Sequence, residues 1–476
     1  MVDLIFRDNT ESTKARVGRR ELMVIEDSPI IKTACNWPNI SAFEASLQPQ
    51  SIDDQALACF FTDWAWAPKP YTFSLDFLPR EYSRVNPERR NCCMTAATRA
   101  VSLAHLAHKS RDPKIRQLAD TEYVSALSST NQALSISAEA MQDETMMAVH
   151  LLILFENIIT SAGGRSPSLL PWITHLGGAT QLVLERGPGQ LNRDVGAAMF
   201  QIQMFKMIVY GMINGQAIPT LFEGAWKETG DHGDAAVQIM KLVSSCPALL
   251  ERAKVLLGCD VLQGEDYFGD ARWYMKENFS KLAGLVADIA DTDETLKKWT
   301  KASIDSRSWI ANNWSFFLAA HVVVNRLLEI CLGHFSMWSS SLFSDPDDDF
   351  NPFSPTFSDS IPDLASFFDG LLLRRAQDAQ KLLVDQICGL IPQALQLSSR
   401  YPDEPVASSG SPLVSYLMLW PLHVALHATS ISVGKREWVK SILRFIAVHD
   451  GLQMADILVH EPYGLLDRLA SLERYG

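Results

Sequence analysis

The feature that most constrains this chain is a recurrent spacing of apolar residues three and four apart, with almost no alternation of β-branched and polar residues between turn signals. Ile52, Leu57, Phe60 and Phe61 open the pattern, in a segment whose Asp53 and Asp54 suit the positive end of a helix dipole. The same period predicts helices over Met94–His108, Pro113–Leu134, Glu144–Thr160, Trp172–Arg186 and Val195–Gln216. Further helical segments are expected around Ala235–Leu257, Trp273–Ile289 and Ile310–Leu332, the last apolar on most faces and therefore central. The expected architecture is all-α, a large array of antiparallel helices joined by short loops.

At 476 residues the chain exceeds one ordinary compact core. Residues 1–50 carry no sustained period and read as an extended lead-in, and 51–476 as the helical region. Stretches rich in Ser, Pro and Asp at 339–363 and 398–412 are expected to be mobile loops, and 161–171 a turn-rich one.

Hydrophobic residues make up 47% and charged residues 20%, so the chain is expected to fold rather than stay disordered. A formal net charge of −13 opposes nonspecific attraction to nucleic acid or an anionic membrane. The one basic run, Lys14–Arg20, reads as solvated surface. The N-terminal residues lack a secretory pattern, and the apolar run Ala148–Ile159 is too short to span a bilayer, which places the chain in the nucleus or cytoplasm.

Chemical motifs are scarce. Eight cysteines, at 35, 59, 92, 93, 246, 259, 331 and 388, include no C-x-x-C pair and read as buried thiols of a reducing compartment. Gly163-Gly164 and Gly187-x-Gly189 lack the strand and spacing of a phosphate loop. No G-x-S-x-G turn supplies a nucleophile, and His423 and His427, an i, i+4 pair, lack the Glu of a metalloprotease helix. No metal or cofactor is therefore expected. The richest region is aromatic: Trp309, Trp314, Phe316, Phe317 and His321, followed by Asn325 and Arg326. Trp314, Phe317 and His321 share one helix face. With Trp420 and His423 they could line a ligand cavity, or pack as ordinary core.

Several stretches together carry a family resemblance: HLGGATQLVLERGP at 175–188, MLWPLHVALHATS at 418–430 and REWVKSILRFIAVHDGLQMADIL at 436–458. DDQALACFFTDW at 53–64, FSLDFLPREY at 73–82 and DETMMAVHLLILFE at 143–156 support them. In this order they resemble the regulatory region that follows the zinc cluster in fungal zinc-cluster transcription factors, from about Asp53 to Leu458. The resemblance implies an all-helical domain that restrains or activates a DNA-binding module, commonly for secondary-metabolite gene clusters. In the family a six-cysteine, two-zinc element precedes a phrase like LIFRDNTES, which here begins at Leu4. The expectation is thus a chain without the zinc cluster and without direct DNA binding.

Three readings follow. One is a regulator acting through a protein partner, such as an intact zinc-cluster factor, or through a small-molecule metabolite. The second is an enzyme, a cofactor-independent cyclase or isomerase of natural products, with His321, His423 and Asn325 as catalytic candidates and Trp314, Phe317 and Trp420 as walls. The third is a gene whose upstream reading frame still encodes the cluster.

Overall fold

The computed structural model describes residues 51–65, 75–85, 92–159, 170–219, 235–257, 271–302, 310–343, 370–395, 411–461 and 464–472. The fold is all-α, and no strand occurs among the described residues. The expected lead-in at 1–50, the basic run, Cys35, Cys259, Trp309 and most of the three expected loops lie outside the described residues.

The chain divides into two compact units, each assembled from separate stretches of sequence. The first comprises 1–203, 409–416 and 444–457, and the second 204–408, 417–443 and 458–476.

In the first unit, α1 (Ile52–Phe60) is capped by Ser51, whose hydroxyl accepts the Asp54 N–H at 3.1 Å. It runs directly into a π-helical turn, Phe61–Ala65. After the short α2 (Leu78–Arg84), α3 (Cys93–Ser110) packs against α1 and against α4 (Pro113–Ser135) and α5 (Asp143–Ile158). Only Arg111 and Asp112 separate α3 from α4, so the two form an antiparallel hairpin. Asp112 caps α4 by accepting the Lys114 N–H at 2.8 Å, with Pro113 at the first helical position where no N–H is required. Tyr123 of α4 stacks on Phe155 of α5 with ring centroids 4.1 Å apart, and both rings are fully buried. Next, α6 (Leu170–Arg186) ends at Gly187, whose positive φ of 63° a side-chain-bearing residue rarely adopts. The division between units falls within α7 (Asp194–Asn214).

The second unit is organised around α11, which follows α8 (Ala235–Val243), α9 (Cys246–Leu256) and α10 (Ala271–Ala302). Helix α11 (Ile310–Phe343) packs against α10 and α12 (Leu371–Ala394). Its segment Asn313–Leu342 is long and apolar enough to cross a membrane, yet 83% of that window is buried inside the protein, as befits a core helix. Phe335 stacks on Phe279 of α10 at 4.8 Å. Further along the chain come α13 (Pro412–His427), α14 (Val433–Phe445), a second π-helical turn at Ile446–Asp450 that belongs to the first unit, α15 (Met454–His460) and α16 (Leu465–Leu472).

Three boundaries differ from the periodicity. The expected segment Ala235–Leu257 is two helices, because Pro247 starts a new first turn after Ser244 and Ser245. The expected loop at 339–363 begins inside a helix, since α11 continues to Phe343. Helix α10 passes Ile289 and continues thirteen residues, through polar sequence that pattern reading had no reason to include.

Candidate functional site

That extension of α10 carries the partner of the aromatic face expected on α11. Trp299 packs against both Trp314 and Phe317, with ring centroids at 5.9 and 5.1 Å, and Trp314 and Phe317 stack on each other at 5.1 Å. One turn earlier, Asp293 meets His321, whose Nε2 lies 2.6 Å from Asp293 Oδ1. The same oxygen accepts a hydrogen bond from Asn325 Nδ2 at 2.9 Å, and Lys297 pairs with the other carboxylate oxygen. Asn325 also donates to the His321 carbonyl at 3.0 Å, which holds the two side chains on one face. Burial alone would raise the Asp293 pKa, but the hydrogen bonds and charge of His321 and Lys297 hold it below the usual carboxylate value. Asp293, His321 and Asn325 are all nearly inaccessible to solvent, and Lys297 keeps part of its stem and head exposed.

Trp420 and His423 do not complete this face. Trp420 packs on Phe316 at 4.9 Å, and Phe316 on Phe205 at 4.7 Å. Phe316 and Phe317 are neighbours in sequence and so point about 100° apart from the helix. His423 packs on His427 at 4.6 Å, and its Nδ1 lies 3.2 Å from the Leu458 carbonyl. Burial pushes the His423 pKa down to about 3, so the ring is neutral at physiological pH. The expected lining is therefore split between two faces of α11. A cleft between α11, α13 and α16, bordered by Val323, Arg326, His427 and Asp467, has a volume of about 20 Å³. That is room for a water molecule rather than a metabolite.

A second polar cluster, in the first unit, has no counterpart among the expected site residues. The two π-helical turns both contribute to it, and such turns are frequent at functional sites because the inserted residue re-aims the side chains around it. Asp63, from the first turn, receives the His105 Nε2 at 2.7 Å and the Lys109 ammonium at 2.5 Å, both on its Oδ2. Cys59 Sγ lies 3.9 Å from the same oxygen. Trp64 Nε1–H points at His105 Nδ1 from 3.5 Å, which places the ring proton on Nε2, where it donates to Asp63. Burial lowers the His105 pKa in spite of Asp63, and although burial works to raise the Asp63 pKa, His105 and Lys109 bring it below the ordinary value.

The second π turn brings Asp450, whose carboxylate accepts the Ser415 hydroxyl at 2.5 Å and lies 2.9 Å from His449 Nδ1. Ser411 donates to the Asp63 carbonyl at 2.7 Å, and His108 Nε2 donates to the His449 carbonyl at 3.2 Å. Gly451, with φ of 76°, passes so close to His108 that a Cβ would meet the imidazole at 2.6 Å. These contacts fasten the 409–416 and 444–457 segments to the first two hundred residues of the chain. The sequence signal was present but faint: Cys59 and Asp63, and His105 and Lys109, are each i, i+4 pairs, separated by some forty residues. Only the packing of α1 on α3 joins them.

Residues 86–210 match the model of the fungal specific transcription factor domain, about a quarter of the chain, spanning α3 to α6 and most of α7. No curated protein and no solved structure matches the chain.

Proposed function

From the premise that residues 86–210 are a fungal specific transcription factor domain, we propose that this protein is a transcription-factor-like regulator of a secondary-metabolite gene cluster. It acts in the nucleus or cytoplasm through a protein partner, such as an intact zinc-cluster factor, or in response to a small metabolite. The observation that carries the reading is the family match, and the all-helical fold agrees with it. One further point favours a partner over direct contact with DNA: the acidic balance of −13 repels a polyanion.

Deletion of the gene in its host, with transcripts and small-molecule products profiled together, tests this. A coordinated fall in the transcripts of neighbouring genes is the expected result. Unchanged transcripts with an accumulated precursor or a shifted isomer ratio would overturn it in favour of the cyclase reading, in which the Asp293–His321 pair supplies an oriented base.

A further inference from the structure

The cluster around Asp63 contains one thiol, one carboxylate and one imidazole whose donor atoms all lie within 4.8 Å of one another. Cys59 and Asp63 come from consecutive turns of α1 and its π turn, and His105 reaches them from α3. We infer that Cys59, Asp63 and His105 form a binding site for a divalent transition ion of the zinc type.

The donor set carries the argument. Thiolate, imidazole and carboxylate together suit zinc, at metal–ligand distances of about 2.0–2.3 Å. Ligand atoms around such an ion stand closer together than the 4.8 Å within which these donors lie, so the three need to draw in by no more than roughly 1 Å. Three protein ligands leave a tetrahedral ion one position for solvent or an exogenous group. Cys59 and His105 are buried, whereas Asp63 keeps a fifth of its side chain exposed, which opens a path from solvent.

Two groups oppose the ion, and the first of them gives a test. The Lys109 ammonium occupies the Asp63 oxygen that the ion would take, but its side chain is 41% exposed and can swing into water. The Trp64 N–H favours the tautomer that puts the ring proton on Nε2, through a contact at the outer limit of hydrogen bonding. On binding, the Cys59 thiol proton leaves to solvent, the ring proton moves from Nε2 to Nδ1, and Lys109 withdraws.

The experiment uses the full chain and Co(II) as the probe. One Co(II) per chain should bind with an intense sulfur-to-cobalt charge-transfer band and the visible bands of a tetrahedral ion, and zinc should displace it. Cys59→Ser should abolish the charge-transfer band, and Lys109→Met should tighten binding on the order of tenfold by removing the competing charge. Should His105→Gln unfold the chain, Cys59→Ser and Lys109→Met, on a small and an exposed side chain, keep the test intact. Absence of the band, its persistence in Cys59→Ser, or unchanged or weakened affinity in Lys109→Met would overturn the site.

Discussion

The two units each contain a buried histidine paired to a carboxylate that also meets a lysine, yet they are built in opposite ways. In the first unit the histidine and lysine are the i, i+4 pair, His105 and Lys109 on α3, and the carboxylate arrives from a π turn. In the second the carboxylate and lysine are the i, i+4 pair, Asp293 and Lys297 on α10, and the histidine arrives from α11 with Asn325 beside it. The difference lies in the fourth member. An amide donor saturates the Asp293 carboxylate in a nearly dry environment, whereas the neighbour of Asp63 is a thiol, and the carboxylate stays partly open. Equal residue types thus yield a closed structural clasp in one place and a donor set available to an ion in the other.

The largest effect should come from breaking the closed cluster. Asp293→Ala removes the acceptor that His321, Asn325 and Lys297 share and breaks a buried charge pair, and should cost about 3–5 kcal/mol, read from urea unfolding of the full chain. A loss below about 1 kcal/mol would mean that the two clusters do not differ as described.

Acid should act next. His175 and His423 are buried, with pKa values pushed down to about 4 and about 3, so the unfolded chain binds protons more readily than the folded one below about pH 6.5. Stability should therefore fall as pH drops from about 6.5 towards 4, by at most ~1.4 kcal/mol per pH unit for each group. His423→Gln should make that slope shallower in pH-dependent thermal melts. An unchanged slope would show that His423 is accessible and protonated in the fold.

In the first unit, Gly451→Ala places a Cβ against His108 at a positive φ and should destabilise by about 1–3 kcal/mol. Differential scanning calorimetry would register it as a lowered Tm, and a neutral outcome would mean the 444–457 segment is not held as described. The smallest effect should be Lys109→Met. An exposed lysine contributes no more than about 1 kcal/mol, so unfolding should barely change while Co(II) binding changes markedly.

Much of the helical fold was legible in the sequence because apolar spacing is a local signal. The start of α4 at Pro113, the end of α6 at Arg186 and the central place of α11 were all readable this way. It faltered where helices run through polar residues. The end of α10 holds Asp293, Lys297 and Trp299, so the partners of His321, Trp314 and Phe317 escaped a reading that stopped at Ile289. The aromatic face of α11 was visible, but its grouping with Trp420 and His423 was not a local property, and packing sent those two to other neighbours.

What the sequence determined by itself is the helical class, the identity of the apolar faces and, through several ordered phrases, the family likeness that the match at 86–210 supports. These rest on interactions within one or two helical turns, or on residue order. Tertiary structure alone decided that Cys59 and Asp63 meet His105, that residues 409–416 and 444–457 close on the first unit, and that Asp293 faces His321. Each of these joins residues on different helices, and which helices become neighbours is chosen by burial of whole faces rather than by any spacing along the chain.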